Sequence, residues 1–318
     1  MKQAFGIAST GEAVDAVTLS AGDLRVTVLT WGAILQDVRI AGTPHSLTIG
    51  SDQIADYEDH MMHHGSLIGP IVNRISTGRV RIDGMMYELE RNQDGRIHLH
   101  SGKQATHRRN WTLEEATATK AVLSCSLRDG ECGLPGNRKI IATYEVTAPA
   151  SLHLTISGDT DAVTMMNFAN HSYWNLDGSD RYDGHKLQIL ADRYLPCTPD
   201  NYPTGEIVDV ADTEMDFRTA RGISVNNPTF DNNFCLSDAP RPITEALSLT
   251  GVNGIRMTVA TDQTGIQVFD NRPDYKGFAI EAQSWPDAPS NRDFPSILVT
   301  PDTPYHQSTR FTFENGSN

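Results

Sequence analysis

The sequence predicts an all-β fold, a large β-sandwich or barrel formed by residues 1–318 as a single domain. Three observations support this prediction. Apolar and polar residues alternate with a period of two along much of the chain, as in half-buried strands. Turn-forming residues recur about every 8–12 positions, a spacing typical of β-sandwiches and barrels. Apolar residues at helical spacing with recognisable caps are scarce, so few helices are expected.

The first third of the chain predicts short strands joined by turns. The segment Leu24–Ile40 alternates in two pieces around Gly32, which indicates two strands with a turn or bulge between them. The pair Asp83-Gly84 separates two short β-prone runs and predicts a hairpin. A short helix is expected only within Asp52–Gly65.

Longer strands are predicted further along the chain. The segment Ile140–Thr160 indicates two strands that flank Pro149, and the apolar side chains of each strand share one face. These side chains are Ile140, Ala142, Tyr144 and Val146 in the first strand and Leu152, Leu154 and Ile156 in the second. The alternation returns in Arg310–Glu314, and the polar tail from 314 to 318 is expected to be frayed.

The composition argues against several partners and locations. The formal net charge of -14 disfavours nucleic acid and anionic membrane surfaces, because phosphate groups would be repelled. No run of about eighteen apolar residues and no secretory leader are visible, so we expect no membrane span and a cytoplasmic location. The four cysteines form no CxxC pair, which fits free thiols in a reducing compartment. A monomer or dimer is the default expectation.

Five polar stretches interrupt the alternating pattern. They contain Asn73 with Arg74, His98 with His100, His171, Asp231, and Glu281. Taken singly, Arg74 is explained as a surface residue and Asp231 as part of a turn. Glu281 differs, because it follows an apolar run in strand phase, where a carboxylate must be paired or functional. Nearby, Trp285 is either a core residue or a platform for a sugar ring.

The chemistry available to these groups is proton transfer. No nucleophilic serine or cysteine motif is present, but a carboxylate and a histidine form a base–acid pair. We expect the histidine to be partly protonated near neutrality, because its ordinary pKa is about 6.5 and nearby carboxylates raise the charged fraction. Arginine and aspartate side chains bind neighbouring hydroxyls through charge-assisted hydrogen bonds.

Taken in order, these stretches resemble the motifs of the aldose 1-epimerase (galactose mutarotase) family over most of the chain. The longest and most specific are "NFANHSYWNL" around His171 and "GFAIEAQSWPDAPSN" around Glu281. The shorter elements are "NRI" with Asn73 and Arg74, "LHSG" with His100, "FDNNF" with Asp231, and "GIQVF" with Gln267. Six elements in the family's order argue strongly against coincidence.

The resemblance implies a large, mostly antiparallel β-sandwich of the galactose mutarotase-like kind, which interconverts the α and β anomers of a free aldose such as galactose or glucose. It implies that Glu281 is the general base on the anomeric hydroxyl and His171 the general acid at the ring oxygen. It also implies that His100 helps to bind and polarise the sugar near that oxygen. The implied substrate-binding residues are Arg74, Asn73, Asp231 and Gln267. No cofactor or metal ion is required, because the chemistry is paired proton transfer.

Two departures from the family pattern follow His100. Ser101 stands in place of a glycine, so it either adds a hydroxyl near the sugar or alters the turn. The family's "GFDKR" stretch is replaced by one that contains His107, Arg108 and Arg109. We interpret this cluster as a solvated loop. The alternative hypothesis is that it favours an anionic sugar, phosphorylated or carboxylated.

The residues also admit three other functions. A non-catalytic carbohydrate-binding domain could use the same cleft, although binding alone needs neither His171 nor Glu281. A metal-dependent β-barrel enzyme would use His98, His100, Glu281 and a further histidine. A glycoside hydrolase would use Asp231 and Glu281 as paired carboxylates, which would leave the histidines without a role.

Overall fold

The computed structural model describes residues 1–316, and β-strands dominate this range. The strands before residue 100 are β1 Lys2–Ile7, β2 Ala13–Ala21, β3 Leu24–Leu29, β4 Leu35–Ile40, β5 Leu67–Ile68, β6 Arg74–Ile75, β7 Arg79–Ile82, β8 Met85–Glu88 and β9 His98–Leu99. Those between residues 100 and 200 are β10 Thr112–Ala116, β11 Lys120–Leu127, β12 Arg138–Thr147, β13 Ser151–Thr160, β14 Thr164–Met165, β15 Ala169–Asn170, β16 Tyr173–Trp174, β17 Lys186–Ile189 and β18 Arg193–Leu195. The remaining strands are β19 Val208–Asp209, β20 Arg221–Gly222, β21 Asp231–Cys235, β22 Thr244–Thr250, β23 Arg256–Thr261, β24 Gly265–Phe269, β25 Phe278–Gln283, β26 Leu298–Val299 and β27 Tyr305–Glu314.

Helical structure in the described residues is short, as the sequence predicts. One α-helix, α1, spans Ile54–Glu58, inside the segment for which a helix is expected. The 3₁₀ turns are Gly102–Gln104, Thr106–Arg108, Glu131–Gly133 and Ala288–Ser290. None of the helices within residues 1–316 has the length and apolar character needed to cross a bilayer.

Three antiparallel sheets form most of the fold. The largest has nine strands in the order β10-β11-β12-β13-β27-β23-β22-β17-β20. A second sheet has six strands in the order β16-β25-β24-β21-β18-β19, and a third consists of β1 to β4 in sequence order. Two-stranded pairs complete the pattern, including β6 with β9 and β15 with β5.

The main hydrophobic core is shared by the three large sheets. It includes Leu19 and Val26 from the four-stranded sheet, Ala142 and Ile156 from the nine-stranded sheet, and Ile280 from the six-stranded sheet. Each of these side chains is nearly inaccessible to solvent. Burial of apolar area on this scale is the main favourable term in folding, so the core fixes the sheets that carry the site.

The local sequence predictions agree with the structure. Strands β3 and β4 flank Gly32, whose φ of 61° lies in the left-handed region. Strands β7 and β8 pair around Asp83 and Gly84, both of which have positive φ, as a tight hairpin turn requires. The apolar faces predicted for Ile140–Thr160 are buried.

The structure also describes the cysteines and most of the C-terminal segment. Cys125, Cys132, Cys197 and Cys235 all carry free thiols. Strand β27 runs to Glu314, which pairs with Arg256. The expectation of a frayed tail also covers residues 317–318, which lie outside the described residues.

Candidate active site

The six-stranded sheet has one apolar face and one polar face. On β25, Phe278 and Ile280 face the core, so Glu281 projects from the opposite side. On β24 the core residue is Val268 and the opposite position is Gln267. Gln267 and Glu281 are direct partners in the antiparallel register, which places both side chains on the same face. The pattern of β25 therefore explains why a carboxylate follows an apolar run.

Asp231 joins this polar face from the next strand. Asn233 on β21 pairs with Gln267, and Asp231 lies two residues earlier, on the same side of the sheet. The Asp231 carboxylate accepts a hydrogen bond of 2.9 Å from Gln267 Nε2. The interpretation of Asp231 as part of a turn is wrong, because the residue begins a strand.

The opposite wall of the site contains Asn73 and His100, which hold each other in place. Both have positive φ, 64° for Asn73 and 51° for His100. The Asn73 amide donates to His100 Nδ1 over 3.1 Å, and the His100 amide donates to the Asn73 carbonyl over 3.0 Å. Because Nδ1 of His100 accepts a hydrogen bond, the proton of the neutral ring is on Nε2, where it can be donated to a ligand.

His171 follows β15 and is fixed through its backbone. Its amide donates to the carbonyl of Ser66, and its carbonyl accepts from Gly65. The neighbouring Asn170 binds the Gly65 carbonyl through Nδ2 and accepts a hydrogen bond from the Ser172 hydroxyl. The polar residues around His171 thus satisfy backbone groups and leave the imidazole for the site.

These elements enclose one small cavity of about 140 Å³. It is lined by all seven residues predicted from the sequence, namely Asn73, Arg74, His100, His171, Asp231, Gln267 and Glu281. Pockets for drug-sized ligands measure about 300–1,000 Å³, so this cavity suits a smaller ligand, such as a single sugar ring.

Glu281 and His171 form the central pair of the cavity. His171 Nε2 lies 3.4 Å from Glu281 Oε1, and the exposed fractions of the two side chains are 5% and 2%. Neither the second oxygen of Glu281 nor His171 Nδ1 has a hydrogen-bond partner within residues 1–316. Buried polar atoms of this kind are costly, which is typical of functional sites.

Burial shifts the pKa values of this pair in opposite directions. Burial raises the pKa of Glu281 well above its ordinary value, Asp231 raises it further, and Arg74 opposes the shift. Burial lowers the pKa of His171 well below its ordinary value, and His63 and His64 lower it further. Both shifts favour a neutral pair, a protonated Glu281 beside a neutral His171.

The expectation that carboxylates raise the charged fraction of the histidine is therefore wrong for His171. It counted only the attraction of nearby carboxylates, but the His171 side chain is buried among other imidazoles. Burial is the leading cause of the lowered pKa, because moving the charged imidazole out of water is costly, and His63, His64 and Arg74 lower the pKa further.

An ion pair between Arg74 and Asp231 lies beside the central pair. Arg74 Nη1 is 3.7 Å from Asp231 Oδ2, and Arg74 Nε donates to Gln93 Oε1 over 2.9 Å. Arg272 approaches the same carboxylate at 3.8 Å. Burial raises the pKa of Asp231, and the two guanidinium groups oppose that shift. This arrangement presents fixed donors and acceptors, which suits recognition of sugar hydroxyls.

Comparison with known proteins assigns the chain to a family. The family model described as aldose 1-epimerase matches residues 15–312. The chain belongs to the aldose 1-epimerase family. This confirms the predicted galactose mutarotase-like fold and the predicted mutarotase activity, an isomerase activity on carbohydrates.

Individual relatives agree with the assignment over nearly the full chain. The galactose mutarotase of Rattus norvegicus is 30% identical over 97% of both chains. The aldose 1-epimerase of Escherichia coli K12 is 28% identical over 91% of both chains. Among solved structures, an aldose epimerase homologue from C. elegans matches with a TM-score of 0.89 and 25% identity, covering 96% of this chain and 100% of that one.

One motif of this aldose 1-epimerase family member has a different geometry from the one its spacing predicts. In a regular strand His98 and His100 would share a face, but β9 ends at Leu99 and His100 has a left-handed backbone. His98 Nδ1 is 2.7 Å from the Glu90 carbonyl, and His98 does not line the cavity. No group of three or more metal-ligating side chains in the described part of the chain could hold a metal ion. The residues proposed for the metal-dependent alternative are thus not gathered.

The cluster after Ser101 is not the solvated loop that we expected. His107 lies in a 3₁₀ turn and is 3% exposed, with its ring 5.3 Å from that of His63. Arg109 instead pairs with Glu131, and Arg108 is exposed. The expectation failed because the three side chains point in different directions, and none of them lines the cavity.

Ser101 and Trp285 have structural roles. The buried Ser101 hydroxyl accepts from the Ile71 amide over 2.7 Å and donates to the Ile71 carbonyl over 3.0 Å. The serine therefore stabilises the turn rather than facing a sugar. Trp285 is 1% exposed and donates to the Thr264 carbonyl, so it belongs to the core.

Sequence reasoning missed several residues that line the cavity. They are His63, Leu99, Tyr173 and Phe269. Strand periodicity could have identified Phe269, which lies two residues after Gln267 and shares its face. Tyr173 likewise lies two residues after His171. His63 offered no comparable signal, because it comes from the loop after α1.

Proposed function

We propose that the cavity binds one free aldose and that Glu281 and His171 interconvert its α and β anomers by opening and closing the ring. The observation that supports this most strongly is the 3.4 Å contact between a buried carboxyl group and a buried imidazole, whose pKa values are shifted in opposite directions. Such a pair holds one proton that either partner can carry, which is what reversible acid–base catalysis requires.

Ring opening uses the charged form of the pair. Sugar binding favours this form, because sugar hydroxyls donate hydrogen bonds to the Glu281 carboxylate. Glu281 then takes the proton of the anomeric hydroxyl, the bond between C1 and the ring oxygen breaks, and a carbonyl forms at C1. His171 gives its proton to the departing ring oxygen. The product is the open-chain aldehyde, with Glu281 protonated and His171 neutral.

Ring closure reverses the proton transfers on the other face. Rotation about the C1–C2 bond turns the carbonyl, and His171 takes back the proton from the hydroxyl that attacks C1. Glu281 gives its proton to the carbonyl oxygen, which restores the starting pair. Every transfer is a proton transfer, so the scheme needs neither a cofactor nor a metal ion.

The remaining cavity residues bind and orient the sugar in this proposal. His100 donates from Nε2 near the ring oxygen and polarises it. Arg74, Asp231 and Gln267 bind sugar hydroxyls, and the Oε1 atom of Gln267 has no hydrogen-bond partner in the described range. Asn73 contributes chiefly by holding His100 in place.

The preferred substrate is a neutral sugar such as galactose or glucose. The two relatives named above are a galactose mutarotase and an aldose 1-epimerase. The hypothesis of an anionic sugar lost its support, because His107, Arg108 and Arg109 do not converge on the cavity. We further propose that the protein is a single-domain enzyme of hexose metabolism and is a monomer or dimer. We also propose a cytoplasmic location, which the four free thiols support, because thiols stay reduced in that compartment.

Polarimetry on freshly dissolved α-galactose, α-glucose and glucose 6-phosphate tests the proposal directly. We expect the protein to accelerate the change in optical rotation of the two neutral sugars, with full activity after treatment with a chelator. Acceleration of none of them would remove the proposed function. A faster rate on the phosphorylated sugar would restore the anionic alternative.

A further inference from the structure

His63 lies in the loop between α1 and β5 and is the cavity residue furthest from any predicted motif. Its ring centroid is 4.8 Å from that of His100 and 5.6 Å from that of His171, to which it is nearly parallel. A fourth ring, that of His107, closes the back of this group at 5.3 Å. His63 thus lies beside the proposed acid, His171, and makes no hydrogen bond to Glu281 within residues 1–316.

The backbone of His63 is fixed while its ring is free to bind. Its carbonyl accepts hydrogen bonds from the amide and the hydroxyl of Ser66. Its imidazole makes no hydrogen bond to any atom of residues 1–316, yet the side chain is half-buried and lines the cavity. By contrast, the Nδ1 atom of His100 is already bound to the Asn73 amide.

The surroundings of His63 keep its ring neutral. Burial, helped by the Arg108 charge, lowers the pKa of His63 to about 4. The neighbouring rings His100, His107 and His171 have lowered pKa values as well, and no carboxylate forms an ion pair with His63 in the described residues. A neutral imidazole offers one donor and one acceptor, the pattern that a hydroxyl group satisfies.

We propose that His63 is a further specificity-determining residue, which hydrogen-bonds a sugar hydroxyl beside the reaction centre. This inference rests on the proposed function. With His171 at the ring oxygen and Glu281 at the anomeric hydroxyl, a side chain stacked beside His171 lies near C5, which is bonded to the ring oxygen, or near C2, which is bonded to C1. The candidates are the 2-hydroxyl and the exocyclic 6-hydroxyl. His63 takes no part in the proton transfers.

Steady-state kinetics of His63→Phe and His63→Gln test the inference. Phenylalanine keeps a ring of similar size but removes both nitrogens, whereas glutamine keeps a donor and an acceptor. We expect His63→Phe to raise KM for galactose or glucose about threefold to tenfold, the usual effect of one hydrogen bond, with kcat changed less than about twofold. Glutamine should recover most of the affinity. His60→Phe, an exposed position in the same loop, is the matched control and should match the wild type.

Deoxy sugars identify the hydroxyl and separate binding from structural damage. If His63 binds the 6-hydroxyl, His63→Phe and wild type should have equal KM on the 6-deoxy sugar and unequal KM on the 2-deoxy sugar, and the reverse holds for the 2-hydroxyl. An unchanged KM, a loss confined to kcat, or the same penalty on the intact sugar and both deoxy sugars would overturn the inference. Calorimetric binding of galactose by both proteins measures the His63 contact even if wild type shows no mutarotation, so the two proposals can fail separately.

Discussion

At the scale of the residue, the site depends on one carboxylate kept away from water. Glu281 follows the buried Ile280, and its carboxylate lies 3.4 Å from His171 in the lining of the cavity. Burying the charged form of Glu281 would cost several kcal/mol, so burial favours the protonated carboxyl group, which does not stabilise the fold. The position of this carboxyl group is instead explained by catalysis, since it holds a proton that can be exchanged with a bound sugar.

The acid in this pair can be tested by His171→Asn. Asparagine is polar and similar in shape but cannot donate a proton to the ring oxygen, so we expect kcat to fall about 100-fold or more. KM should change by a smaller factor. Stopped-flow polarimetry measures both constants, with the exposed His306→Asn as the control. A kcat within about threefold of wild type would assign the acid to another group.

The binding role of the arginine is separable from the chemistry. Arg74→Ala removes a guanidinium group 3.7 Å from Asp231 and about 13% exposed. We expect KM to rise about tenfold to 100-fold, because a charge-assisted hydrogen bond to the sugar is lost, and kcat to fall less. The exposed Arg96→Ala is the control. A loss in kcat alone would contradict this role.

At the scale of the element, strand patterns predicted most of what positions the site. Alternation identified the buried faces and explained why Glu281 stands out, and the motifs shared with the family identified Asn73, Arg74, His100 and the other predicted site residues. Three properties of the site could not be predicted from alternation or from the motifs. His98 separates from His100 because a left-handed residue breaks the strand phase, which residue spacing does not reveal. His63 comes from a loop that carries no motif, and His171 is neutral chiefly because it is buried, which residue spacing does not reveal either.

The turn that carries His100 gives a stability test. Ser101→Ala removes the hydroxyl that satisfies the buried Ile71 amide and carbonyl. We expect the free energy of unfolding to fall by about 1–3 kcal/mol. Ser101→Gly loses the same bonds but relaxes a φ of 60°, so it should be less destabilising. Urea denaturation measures both, with the exposed Ser126→Ala as control. Equal stability of Ser101→Ala and wild type would refute the role assigned to the hydroxyl.

At the scale of the whole molecule, the buried histidines make stability depend on pH. Burial lowers the pKa of His64 to about 4, and His63 adds to the shift. Because the unfolded chain binds this proton near pH 6.5 and the folded protein does not, stability is present above that pH and is lost as the pH falls.

We therefore expect the free energy of unfolding to fall between pH 7 and 5.5. In His64→Phe that fall should be smaller by about 1 kcal/mol, because the variant has no proton to bind at this position. Urea titrations at several pH values measure the difference. Parallel pH profiles for the two proteins would show that His64 does not titrate as the structure indicates.

The opposite sign applies to Glu281. Its raised pKa means that the folded protein holds a proton which the unfolded chain releases above about pH 4.5, so this residue reduces stability as the pH rises. Glu281→Gln should therefore be at least as stable as wild type at pH 7. Any loss of activity in this variant reports on chemistry and not on unfolding.

Polarimetry of α-galactose with Glu281→Gln tests the central claim most directly, with galactose binding measured by calorimetry on the same protein. We expect the catalysed rate to fall at least about 100-fold while galactose still binds, and the exposed Glu206→Gln to keep the wild-type rate. A near-native rate for Glu281→Gln would contradict the account, because the proton of the anomeric hydroxyl would then be taken by another group.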